Sequence, residues 1–112
     1  MLNAFLESLE KLCLLCYSVT MLESRIEHRL VDLVRSLGGW CVKMTPAGQS
    51  SFPDRIVLLH GVARFVELKR PGETSSPAQR ACQQKLRKLG FQVDEISTME
   101  QLKTYVDEVL TA

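Results

Sequence analysis

The stretch Asp54-Arg-Ile-Val-Leu-Leu59-His60-Gly61-Val62-Ala-Arg-Phe-Val-Glu67-Leu-Lys69 decides how this chain folds. Two apolar, β-branched runs flank His60-Gly61, a pair suited to a two-residue turn: glycine takes positive φ freely, and histidine tolerates it better than a branched residue does. The pattern predicts a β-hairpin of Asp54–Leu59 and Val62–Lys69. A two-residue turn sets Leu59 opposite Val62, and counting outward sets Asp54 opposite Glu67. Opposed residues project to one side with side chains roughly 5 Å apart, so two like charges meet there and repel unless a cation sits between them. Lys69 lies two residues beyond Glu67 and therefore shares its face. Two carboxylates and a backbone carbonyl, that of Leu68, suit Mg²⁺ or Mn²⁺, and a nearby ammonium can orient an attacking water for hydrolysis at phosphorus. The plainer reading is a Glu67–Lys69 surface ion pair with Asp54 ending a turn after Pro53.

Outward from the hairpin the periodicities change in order. Ile26, Leu30, Leu33, Val34 and Leu37 mark one face of a helix stopped by Gly38-Gly39. Trp40–Met44 reads as a strand, with Trp40 as a core residue at its start, and Thr45–Ser51 has loop composition. After Pro71-Gly72, Ser76-Pro77-Ala78-Gln79 opens a helix, with Ser as N-cap, Pro at the first helical position and Gln completing a capping box. That helix runs to Leu89, Phe91–Ile96 is a further strand, and Thr98 caps a helix to about Leu110 with Leu102, Tyr105, Val106 and Val109 inward. The order is α/β, a mixed sheet flanked by helices.

With 112 residues, 46% of them hydrophobic and 24% charged, the chain is one domain with one core and is not a disordered or low-complexity sequence. The net charge of +1 conceals a division: Arg64 to Val93 carries seven basic residues against Glu67 and Glu73, whereas Asp94 to Ala112 carries five acids against Lys103. Cys13, Cys16, Cys41 and Cys82 lack the spacing of a disulfide framework or a zinc site. Leu12–Val19 is too short to span a bilayer, and Glu7 and Glu10 stand where a signal peptide needs positive charge, so a cytoplasmic protein with no membrane partner is expected. Residues 1–20 read as an amphipathic extension and 21–112 as the domain proper.

Phe52-Pro53-Asp54, Phe65-Val66-Glu67-Leu68-Lys69-Arg70-Pro71-Gly72 and Ser76-Pro77-Ala78-Gln79 together resemble the PD-(D/E)XK nucleases, and more narrowly the stand-alone virus-type replication-repair nuclease (VRR-NUC) domains of phages and bacteria. The resemblance covers about residues 22–110. It implies a restriction-endonuclease-like αβββαβ core plus a C-terminal helix, Mg²⁺- or Mn²⁺-dependent cleavage of DNA, often branched or structured DNA, and homodimers. It places the family's catalytic residues on Asp54, Glu67 and Lys69, with Gln79 after the strand and an acid of the first helix. Of Glu23 and Glu27, Glu27 is favoured because Leu30, Val31 and Val34 follow it at helical spacing. The capping box alone also accounts for Gln79. Lys43, Arg55, Arg70 and Arg80 lie near enough in sequence to contact phosphates. Ser51 stands where relatives carry glycine, which alters the loop before Pro53-Asp54. Two other classes stay open: a non-catalytic structured-DNA-binding module on the same fold, and a protein-interaction domain using the N-terminal segment.

Overall fold

The computed structural model describes residues 24–45, 48 and 51–111, so the expected extension 1–20 and its boundary lie outside the described residues. Helix α1 covers 24–36, followed by β1 (Trp40–Lys43), β2 (Arg55–Leu59), β3 (Val62–Leu68), α2 (Pro77–Lys88), β4 (Gln92–Ile96) and α3 (Met99–Tyr105). The strands form one sheet in the order β1-β2-β3-β4, antiparallel except for the parallel pair β3–β4 that α2 connects. Every expected strand and the α2 helix stand within one residue of the spans read from the sequence.

The hairpin register is the expected one. Leu59 pairs with Val62 and Arg55 with Val66, which carries Asp54 opposite Glu67. His60 and Gly61 both have positive φ, 51° and 76°, the requirement of the tightest turns. Gly39 has a different task. A Cβ there would stand 2.7 Å from the Leu58 carbonyl oxygen and 3.0 Å from Leu59 and Val34 side-chain atoms, so only glycine lets the α1–β1 turn press against β2.

The two sheet faces are covered unequally. On one, Ile26, Leu30 and Val34 of α1, spaced i, i+4, i+8, are buried against Val57, Leu59, Val66, Leu68 and Ile96 together with Leu102, Tyr105 and Leu110. Each such side chain contributes roughly 1.5–3 kcal/mol on leaving water, which makes this the main core. On the other face α2 covers only the β3–β4 half, through Phe65, Leu86 and Val93 with Phe52, Ile56 and Cys82 beside them. Phe52 and Phe91 each meet Phe65 edge-on, with ring centroids 5.4 Å apart.

That asymmetry corrects the reading of Trp40. The indole is 68% exposed rather than buried, because Trp40 pairs with Leu58 and so projects to the face that α2 leaves open over β1 and β2. An apolar strand start does not tell which face has a neighbour. The C-terminal helix also differs: beyond Tyr105 it widens into a π-helical segment, Val106–Leu110, closed by Thr111 N–H donating to the Val106 carbonyl at 3.0 Å. Five-residue spacing carries Leu110 under the sheet with Tyr105, and leaves Val109 only half-buried. No described helix is long and apolar enough to cross a membrane.

Candidate active site

Asp54, Glu67 and Lys69 reach one place because alternation along β2 and β3 points Asp54, Ile56, Phe65 and Glu67 to the α2 face, while Arg55, Val57 and Val66 point to the α1 face. Asp54 stands one residue before β2. One carboxylate oxygen, Oδ2, accepts from the Leu68 backbone N–H at 2.9 Å, which ties the start of β2 to the end of β3. The Leu68 backbone therefore sits directly against the aspartate.

Glu67 and Lys69 are 3% and 4% exposed, values that end the surface-ion-pair reading. Glu67 Oε2 is buried and has no hydrogen-bond partner. Burial, then the Asp54 charge, then a hydrogen bond shared with Asp54 push the Glu67 carboxyl up to about 8, with Lys69 opposing and Glu95 adding to the rise. A Glu67 carboxyl raised this far favours its protonated form at neutral pH.

Lys69 is aimed by α2. Its Nζ donates to Gln79 Oε1 at 2.7 Å, and the same oxygen accepts from the Ser76 backbone N–H at 2.9 Å. Ser76 Oγ in turn accepts from Gln79 N–H at 3.2 Å, completing the capping box. The two readings of Gln79 are one arrangement, since the amide that caps the helix also holds the lysine. Glu73 lies 3.6 Å from the ammonium and is half exposed.

A solved structure described as a VRR_NUC domain superposes with a TM-score of 0.73 at 28% identity, covering 78% of this chain and 96% of that one. No family model matches the sequence. A phage protein, "Putative nuclease p44" of Acyrthosiphon pisum secondary endosymbiont phage 1, is 43% identical over 72 residues, which are 63% of this chain and 77% of p44. The chain belongs to the VRR-NUC family. Its fold is the restriction-endonuclease-like one, and its family activity is that of a nuclease.

The other residues expected at the VRR-NUC site are distributed differently. Glu27 and Arg55 meet each other on the α1 face, where Glu27 Oε1 accepts from Arg55 Nη2 at 2.6 Å and from Nε at 3.0 Å. Arg55 is thus engaged by an acid of its own chain. Glu23 lies outside the described residues. Lys43 is exposed beside Arg55 on β1, Arg70 is exposed directly after Lys69, and Arg80 is exposed with its guanidinium donating to the Ser75 carbonyl.

One residue of the VRR-NUC site face was not anticipated. Glu95 on β4 pairs with Glu67, so Asp54, Glu67 and Glu95 form a row across three strands. Ser75 Oγ and Gln83 Nε2 both donate to Glu95 Oε1 and hold its carboxyl below the usual range. Gln83, 3% exposed, and Ser75, 7% exposed, thereby pin the entry of α2 to β4. Alternation along Phe91–Ile96 was visible in the sequence, but the register of a parallel pair joined through a helix was not.

Proposed function

We propose that this chain is a Mg²⁺- or Mn²⁺-dependent endonuclease hydrolysing phosphodiester bonds in branched or structured DNA, and that it works as a homodimer. The observation that carries the reading is Glu67: a buried carboxyl with an orphaned oxygen, facing a second carboxylate, is an arrangement in which a bound cation can take the place of the retained proton and relieve the repulsion. Asp54, Glu67 and the Leu68 carbonyl would hold the ion. Among the described residues no three acidic, histidine or cysteine side chains converge, so backbone and water would complete its shell, as Mg²⁺ commonly requires. Bound there, the ion supplies positive charge and Lewis acidity to the scissile phosphate.

The chain's own groups do the rest in this reading. Lys69, held by Gln79, orients the attacking water. Glu27 acts through Arg55, bracing the start of β2 beside Asp54, while Lys43, Arg70 and Arg80 contact phosphates. A two-fold pair would present two such sites to a branched substrate. The non-catalytic module has less support, since an acidic pair facing phosphate repels DNA unless a cation intervenes.

Labelled duplex, flap and four-way-junction DNA incubated with Mg²⁺, Mn²⁺ or EDTA tests it. Metal-dependent cutting of branched substrates is expected, and a gel shift without cutting under every condition would favour the module. Light scattering at about 12.7 kDa, with and without DNA, would remove the dimer.

A further inference from the structure

Helix α2 buries two residues against the sheet, and one of them, Gln83, is an amide. An apolar side chain of similar length would fill that place without the cost of taking an amide out of water, so its presence calls for a physical reason. Gln83 Nε2 donates to Glu95 Oε1 at 2.9 Å and to Ser75 Oγ at 3.3 Å, and Ser75 Oγ donates to the same glutamate oxygen. These three side chains close a triangle between the loop ahead of α2, the body of α2 and β4. A buried polar network satisfied in this way fixes one geometry more sharply than apolar contact does.

Each end of Lys69 is held by a chain neighbour of that triangle. Ser76, next after Ser75, gives its backbone N–H to Gln79 Oε1, the oxygen that receives the Lys69 ammonium at 2.7 Å. Ile96, next after Glu95, accepts the Lys69 backbone N–H at 3.0 Å. The lysine main chain is thus fixed to β4, and its ammonium to the α2 cap. Apolar contact of α2 with the sheet comes from Cys82 and Leu86, so the capped first turn depends on the triangle for its distance from β4.

We infer that Ser75 and Gln83 are positioning residues for the nuclease reaction proposed above, on which this role rests: they set where the Lys69 ammonium stands relative to Glu67. Neither touches the lysine. They act through Ser76 and Gln79, and without their donors the capped turn, with Gln79 Oε1, is free to shift away from β4 while Lys69 N–H stays bound to Ile96.

Ser75→Ala and Gln83→Met, each made in the full chain, test this with two readouts. The first needs no catalysis: in EDTA and without DNA, the rate at which an acetylating reagent modifies Lys69, read by peptide mass spectrometry against the exposed Lys85, should rise roughly tenfold in both variants, the factor one lost hydrogen bond of ordinary strength is worth. The second is cleavage, where kcat should fall roughly tenfold or more with KM unchanged, because the water-orienting group is misplaced while substrate contacts remain. Ser75→Thr, which keeps the donor, should match the parent in both. In a Lys69→Ala background neither substitution should slow cleavage further, since the group they place is gone. Unchanged labelling, unchanged kcat, or a full additional loss in the Lys69→Ala background overturns the role, the last by showing that the triangle serves stability alone. A parent chain that cuts no DNA with either metal sinks the nuclease reading instead, and the labelling rates then still decide whether the two residues place Lys69.

Discussion

Loading the acidic pair with Mn²⁺ should release close to one proton at neutral pH. Glu67 is raised from an ordinary 4.5 to about 8, first by burial and then by Asp54. At pH 7 the pair therefore holds about 0.9 proton, and at pH 9 about 0.1. A cation binding both carboxylates displaces that proton, so affinity should climb nearly tenfold per pH unit through pH 5–7 and flatten above about 8. Calorimetric titration in two buffers of different ionisation enthalpy counts the proton directly. The same linkage predicts a stability trend without metal. Because the folded pKa lies above the unfolded one, the stabilisation is complete below about 4.5 and is lost as pH rises to about 8. At about 1.4 kcal/mol per pH unit the span amounts to something on the order of 5 kcal/mol. Melting in EDTA should show the decline, and Glu67→Gln should abolish both the decline and the proton release. A count below about 0.2 proton at pH 7, or affinity flat from pH 5 to 8, would refute the coupling between Asp54 and Glu67.

Three further outcomes follow from the same contacts. Asp54→Asn should abolish Mn²⁺ binding and cleavage while leaving DNA affinity equal or higher, whereas Lys69→Ala should keep the metal and cut roughly 10²-fold more slowly; calorimetry beside cleavage assays separates the two. Arg55→Ala strips the partly buried Glu27 of both its donors and should cost about 1–3 kcal/mol in a denaturant melt, while Arg80→Ala, exposed, should cost less than about 0.5. Gly39→Ala forces a methyl against the Leu58 carbonyl and should lower stability by about 1–3 kcal/mol, whereas Trp40→Ala on the open sheet face should stay within about 0.5; a reversed order would show that the α1–β1 turn or the exposed indole has been misread.

Local chemistry determined much of this protein before any contact was known. Turn residues at His60-Gly61 set the hairpin register, two-residue alternation then put Asp54 opposite Glu67, and Ser76-Pro77 with Gln79 wrote out the start of α2. These readings rest on neighbours a few residues apart, where backbone geometry admits few solutions. Tertiary structure decided what depends on which surfaces find a partner. It left Trp40 uncovered because α2 spans only half a sheet face, and turned Arg55 to Glu27 because α1 occupies the face to which Arg55 points. It made Gln79 serve both a helix cap and a lysine, and drew Glu95 into line with Asp54 and Glu67 through a parallel pairing. No spacing rule encodes that last register, because the crossover between β3 and β4 is long and its length does not set the offset between the strands. The widened turn at Val106–Leu110 belongs with these: burying Leu110 beneath the sheet outweighed regular helical spacing, a choice made by packing and invisible to periodicity.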